Sequence, residues 1–293
     1  MSEILLKEGF LMKFVTFELN GSDTWGVEVD QRVHFSSEWT ERYLSLLEFI
    51  RSGVRIDREE VSGWESVGYE DVQVKAPFLP PKNIICVGKN YKEHALEMTQ
   101  QDPGSIPEDP ILFTKPATSV VGSGEVVEVH EKLTSQLDYE GELAVIIGKE
   151  GRDLTQEEAE DYIFGYSIVN DVTARDLQKR HKQFFKGKSL DTSAPFGPAI
   201  VPAADIDDPQ YLSIKTYINE EIRQDGNTTD MIFSIAELIA IISAGMTLEP
   251  GDVIATGTPS GVGKGMNPPQ YLKSGDTMTI SIEGIGTLEN QVK

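Results

Sequence analysis

The sequence predicts an α+β fold rich in β structure, and three observations carry that prediction. Short apolar runs heavy in Val and Ile recur along the chain and stop at Gly, Pro or Asn-Gly signals. Two longer stretches, 39–52 and 233–244, show the spacing of amphipathic helices instead. A proline-rich segment, Ala76-Pro77-Phe78-Leu79-Pro80-Pro81-Lys82, cannot be helical and separates a small N-terminal α/β domain, 1–76, from a larger domain, 77–293.

Residues 1–11 precede a second methionine, Met12, and are expected to be an extension or an appended leader. Glu3, Lys7 and Glu8 interrupt them, so they lack the long apolar centre of a signal peptide. Phe14–Leu19 and Thr24–Val29 read as a hairpin around Asn20-Gly21. Trp39–Ser52 follows as one amphipathic helix with Tyr43, Leu44, Leu47 and Ile50 on its apolar face, closed by Gly53. Nothing in 1–76 carries catalytic chemistry.

The second region opens with a strand, Asn83–Gly88, then a short helix, Lys89–Met98. Residues 99–110 read as a mobile loop able to act as a lid. Strands follow at 110–116 and 126–130, and a helix at 156–162. A strand at 211–222 turns at Asn219-Glu220 and is broken by Asp225-Gly226-Asn227. The helix at 233–244 ends at Gly245.

The stretch Leu137–Gly148 reads as a strand that projects Glu140 and Glu142 from one face, with Leu143, Val145 and Ile147 on the other. Paired carboxylates resist burial unless a proton or a cation compensates them. Oxygen ligands of this type favour Mg²⁺, Mn²⁺ or Ca²⁺ over zinc. An edge strand bearing two solvated glutamates is the competing interpretation. A third carboxylate, Asp171, ends the strand 164–171 just before a helix-forming segment, 172–179, where it is either a helix cap or a further ligand.

His94 and Glu97 are neighbours on a helix, and a carboxylate on one imidazole nitrogen leaves the other free to act as a base. A plain surface pair has the same spacing. Residues 179–188 gather five Lys/Arg and His181, a positive patch suited to an anionic substrate or simply a solvated helix end. The glycine-rich segment 248–265 misses the Walker spacing by one residue, yet its N–H groups and Thr258 suit a carboxylate.

Composition narrows the classes. A net charge of −22 argues against nucleic acid and anionic membranes as partners. One cysteine, Cys86, excludes an internal disulfide and fits a cytoplasmic, reducing compartment. No apolar run approaches membrane-spanning length.

Six motifs in order over residues 82–293 resemble the fumarylacetoacetate hydrolase family: N-Y-x-x-H-x-x-E, K-P, D-Y-E-x-E-L-A-V-I-I-G, G-Y-x-x-x-N-D-V-T-A-R-D, G-K-S-x-D and T-G-T-P-x-G-V-G. The resemblance implies a mixed β-roll with flanking helices, usually dimeric, holding a divalent ion in a pocket under a lid. It implies Glu140, Glu142 and Asp171 as metal ligands, with His94 and Glu97 activating water and Lys188 stabilising an enolate or oxyanion. Arg175 and Gln178 would hold water and substrate, Thr258 would meet a carboxylate, and Lys115 would belong to the pocket.

Metal chelation of a small anionic 2-keto acid would stabilise the enolate left when an adjacent C–C bond breaks. The expectation is therefore a metal-dependent hydrolase of short β-diketo acids such as acylpyruvates. Oxaloacetate decarboxylation, or the decarboxylase/isomerase chemistry of homoprotocatechuate breakdown, ranks second. A non-catalytic binding or scaffold protein ranks last.

Overall fold

A computed structural model describes residues 11–98, 102, 104 and 106–293. All of the proposed leader except Leu11, and part of the proposed lid, residues 99–101, 103 and 105, lie outside these. Strand outweighs helix, as expected of a β-rich α+β chain. The main sheet runs, in spatial order, through Glu65–Gly68, Arg32–Phe35, Ser22–Val29, Lys13–Leu19, Ala194–Pro202, Ile163–Asn170, Gly141–Ile147, Val253–Ala255, Ile84–Gly88 and Ile111–Lys115. Most neighbours are antiparallel, but Val253–Ala255 pairs parallel with Ile84–Gly88, so the sheet is mixed. A second sheet joins Glu221–Asn227, Ser213–Ile218, Thr277–Ile282, Gly286–Val292 and Val126–Val127.

The strand Gly141–Ile147 lies deep in the first sheet, hydrogen-bonded on one side to Ile163–Asn170 and on the other to Val253–Ala255. It is buried along its whole length, which excludes the edge-strand interpretation. Leu143, Val145 and Ile147 enter one core with Leu238, Ile239 and Ile280. Ala144 and Ile146 enter another with Phe14, Trp25, Phe49 and Phe196. The N-terminal aromatic residues therefore pack against the strand that carries Glu142, on the face of Ala144 and Ile146.

The hairpin forms as Lys13–Leu19 and Ser22–Val29, with Asn20 and Gly21 both at positive φ. The helix expected over 39–52 is broken into Ser37–Arg42 and Leu46–Ser52. Ser45 caps the second piece by accepting from the Glu48 N–H, while Glu48 accepts from the Leu44 N–H. That cap turns Leu44 outward, where it is 74% exposed rather than part of an apolar face. The helix expected at 156–162 reduces to a 3₁₀ turn, Ala159–Tyr162. Ile235–Ser243 is helical with a full capping box, Ser234 and Glu237.

Asp225-Gly226-Asn227 does not break its strand but completes Glu221–Asn227. A Cβ at Gly226 would lie 2.5 Å from Pro259, so this glycine lets the Thr256–Pro259 segment lie on the sheet. That packing brings the glycine-rich loop over the carboxylate-bearing strand.

Candidate metal and substrate site

The sequence stretch 137–148 is two pieces, not one: Leu137–Asp138 bridges to Thr173–Ala174, and Gly141–Ile147 begins after Tyr139-Glu140. Antiparallel register sets Gly141 against Asn170 and Glu142 against Val169, so Glu140 falls opposite Asp171. The Asp171 N–H donates to the Glu140 carbonyl at 2.9 Å, and Asn170 Oδ1 accepts from the Glu140 N–H. Asp171 is not a helix cap, since Arg175–Arg180 begins after Ala174. Carboxylate oxygens of Glu140, Glu142 and Asp171, all three buried, lie within 4.8 Å of one another.

Three cations surround the acids. Lys188 Nζ donates to Glu140 Oε2 and Asp171 Oδ2, both at 2.6 Å. Arg175 bridges Glu140 at 2.6 Å and the buried Asp138 at 2.8 Å. Lys115 Nζ stands 2.9 Å from Asp171 Oδ1 and donates to the carbonyls of Val172 and Lys188. That placement sets Lys115 behind Asp171 rather than among the cavity-lining side chains. Gly187 makes Lys188 possible. A Cβ there would lie 2.5 Å from Gln178 N and 2.7 Å from the Ala174 carbonyl, so only glycine lets the Phe185–Lys188 turn pack so closely.

The electrostatics divide the acids. Burial opposes ionisation of Glu140, but Arg175 and Lys188 outweigh it and hold that carboxyl far below its ordinary range. Glu142 goes the other way: burial first, then Asp171 and Glu140, push it well up. Lys188 is raised to about 12 because Asp171 and Glu140 overcome its burial.

Glu142 keeps one fixed donor, the Gly257 N–H at 2.9 Å. Asp171 Oδ1 is buried and, although Lys115 is close, receives no directed hydrogen bond. An all-oxygen set with an underused lone pair and an acid short of positive charge fits a hard divalent ion.

His94 Nδ1 lies 3.3 Å from Glu97 Oε2, and Glu97 in turn accepts from the Gly261 N–H. A Cβ at Gly265 would sit 2.2 Å from Glu97, so the glycine-rich loop clamps this carboxylate by close approach. The imidazole is buried, and its Nε2 is the atom left for chemistry.

A cavity of about 490 Å³ gathers His94, Glu140, Glu142, Arg175, Gln178, Lys188 and Thr258. Thr258 spends its hydroxyl proton on the Gly141 carbonyl and accepts from Gln224. Gln178 approaches Arg175.

Sequence reasoning missed Asp138, which anchors Arg175 and accepts from the Gly263 and Lys264 N–H groups. Its two-residue spacing from Glu140 was the available signal. Lys89, Lys264 and Tyr271, also on the cavity wall, carried none.

Residues 83–293 match the fumarylacetoacetate hydrolase C-terminal family. The chain is 49% identical to the oxaloacetate tautomerase YisK of Bacillus subtilis, over 96% of this chain and all of that protein. It superposes on a fumarylacetoacetate hydrolase from Exiguobacterium antarcticum with a TM-score of 0.87 and 50% identity, covering 96% of this chain and 99% of that one. Maleylpyruvate hydrolase from Sphingobium sp. SYK-6, in complex with manganese(II) and pyruvate, gives 0.78 and 28% identity, covering 96% and 98%. The chain is a member of the fumarylacetoacetate hydrolase family.

Proposed function

We propose that this protein is a divalent-metal-dependent enzyme that works through the enolate of a small 2-oxo acid, with keto–enol tautomerisation of oxaloacetate as its reaction. The observation that carries the proposal is a cluster of three buried carboxylates, Glu140 and Glu142 of which line one cavity together with a buried ammonium and a carboxylate-backed imidazole. Near-full-length similarity to an oxaloacetate tautomerase supports this reaction over the C–C hydrolysis that the motifs favoured.

Glu140, Glu142 and Asp171 would hold Mg²⁺ or Mn²⁺, which supplies a Lewis acid that polarises the 2-oxo group. Lys188 supports negative charge on the same oxygen, acting from a site where little water dilutes its field. His94 Nε2, oriented by Glu97, takes the proton from C3; the C–H pair becomes the C2–C3 double bond and the carbonyl π pair moves onto oxygen. Reprotonation on oxygen gives the enol, and reprotonation on carbon restores the ketone. Arg175 commits its guanidinium to Asp138 and Glu140, so it holds a ligand in place as well as facing the cavity.

Hydrolysis of an acylpyruvate is the second reading, because the same His94–Glu97 pair suits removal of a proton from water. A homodimer in a reducing cytoplasm is the expected setting; the buried thiol of Cys86 is consistent with it.

The deciding measurement follows three signals with Mn²⁺-loaded protein: ultraviolet loss of oxaloacetate enol, pyruvate release, and cleavage of an acylpyruvate. Enol–keto exchange outpacing pyruvate release supports tautomerisation. Rapid pyruvate release with unaccelerated exchange replaces it with decarboxylation, and turnover of the acylpyruvate alone replaces it with hydrolysis.

A further inference from the structure

We propose that Lys264 and Lys89 form a subsite for a second, distal carboxylate, so that the cavity selects short oxo-dicarboxylic acids over oxo-monocarboxylic ones. The proposal deepens the preceding reading and rests on it, since it takes the carboxylate triad as the end that receives the 2-oxo acid group.

The cations near the cavity fall into two sets. Arg175 and Lys188 line it but are already matched, each by two acids at 2.6–2.8 Å. Lys89, Lys179, Lys182 and Lys264 line the same cavity, and none of these side chains makes an ion pair with any of the described residues. Of the four, Lys89 precedes the short helix that carries His94 and Lys264 lies in the loop that packs on that helix. In a chain of net charge −22, unmatched ammonium groups facing one cavity point to an anion that the protein itself does not provide.

The backbone holds both lysines in place. Lys89 sits at φ 55, a left-handed conformation that is uncommon for a residue with a long side chain. The next residue, Asn90, pins that turn by donating to the Thr256 and Phe233 carbonyls. Lys264 follows Gly263, and Asp138 accepts from both of their N–H groups. Gly265 then abuts Glu97, so the lysine-bearing loop leans on the same short helix that carries His94. The two lysines thus flank the dyad from opposite connections.

Electrostatics agree with this placement. Burial first, then Arg175, and further down Lys89, pull the Lys264 ammonium below the ordinary lysine range while Asp138 and Glu140 pull the other way. A carboxylate between Lys264 and Lys89 relieves that strain. Charge bookkeeping leads to the same substrate class. Asp138, Glu140, Glu142 and Asp171 face Lys115, Arg175 and Lys188, which leaves one negative charge in excess. A bound dication turns this into a single positive charge, enough for one substrate carboxylate. A second carboxylate needs further cations, and of the four unpaired lysines on the wall Lys89 and Lys264 are the two placed beside the His94–Glu97 dyad.

The test is calorimetric binding to Mn²⁺-loaded protein of oxalate, lactate and malate, the last two differing by one distal carboxylate. Wild type should bind malate at least about tenfold tighter than lactate, equal to about 1.4 kcal/mol. Lys264→Met and Lys89→Asn, the latter chosen because asparagine tolerates positive φ, should each shrink that ratio. The double variant should bring it close to one, while Lys264→Arg retains most of it. Oxalate, which reaches only the triad, should bind all four variants as it binds wild type. A malate preference that is absent in wild type, or that survives the double variant, overturns the subsite. So does a parallel loss of oxalate binding. If oxalate fails to bind even wild type, the 2-oxo acid reading of the cavity falls first and takes the subsite with it.

Discussion

In the proposed metal site, Glu142 is the side chain on which loading would turn. Its carboxyl is pushed up in the folded protein, so the folded state keeps this proton at a pH where the unfolded chain has lost it. Stability of the metal-free protein contributed by this group is therefore present at low pH and declines as pH rises toward the folded value. Metal binding needs the carboxylate and releases that proton, so Mn²⁺ affinity should strengthen over the same range. Thermal melts of metal-free and Mn²⁺-loaded protein across pH should diverge upward; parallel curves would remove Glu142 from the ligand set. Replacing the carboxylate by an amide, Glu142→Gln, should weaken Mn²⁺ binding by at least about 100-fold while leaving the fold intact. His94→Ala should cut enol–keto exchange by about 10²–10⁴-fold and spare Mn²⁺ binding, as titration with the metal would reveal. An equal loss of both would make His94 a packing residue.

At the level of elements, two close approaches build the site, and both depend on glycine. Gly187 lets the turn bearing Lys188 nest against Arg175–Arg180. An alanine there should cost about 1–3 kcal/mol of stability, read by denaturant unfolding, and displace Lys188 from its two acids. Gly257 sits at φ 101 and would bring a Cβ within 2.7 Å of Asn90 Cβ. Gly257→Ala should therefore loosen the loop that donates to Glu142, lowering Mn²⁺ affinity more than it lowers the melting temperature.

What the sequence disclosed follows the range of each signal. Strand alternation and hairpin turns are local, so Phe14–Leu19 and the run after Gly141 were legible. The Ser45–Glu48 cap is equally local, but the surrounding apolar periodicity masked it and one helix was expected where two stand. Asp171 and Glu140 lie far apart in the chain and meet through strand register, so spacing could suggest both without joining them. Lys115 shows the limit: buried lysine and cavity lysine look alike until the fold places Asp171 in front of it.

Across the whole molecule, the two sheets and the helices around them close one cavity in which acids and bases nearly balance, inside a strongly acidic chain. None of the described helices is long and apolar enough to cross a membrane. The small N-terminal region is not a loose appendage to the large sheet. Phe14 pairs with Ile200, and Trp25 and Phe49 fill the layer behind Ala144 and Ile146. Cutting the chain at the proline-rich segment would strip a hydrogen-bonding partner from Ala194–Pro202 and bare an apolar floor. Anyone wishing to harvest the carboxylate-bearing half alone should find it clumping out of solution, its raw margin seeking another copy, until residues 11–76 are supplied again as a separate piece.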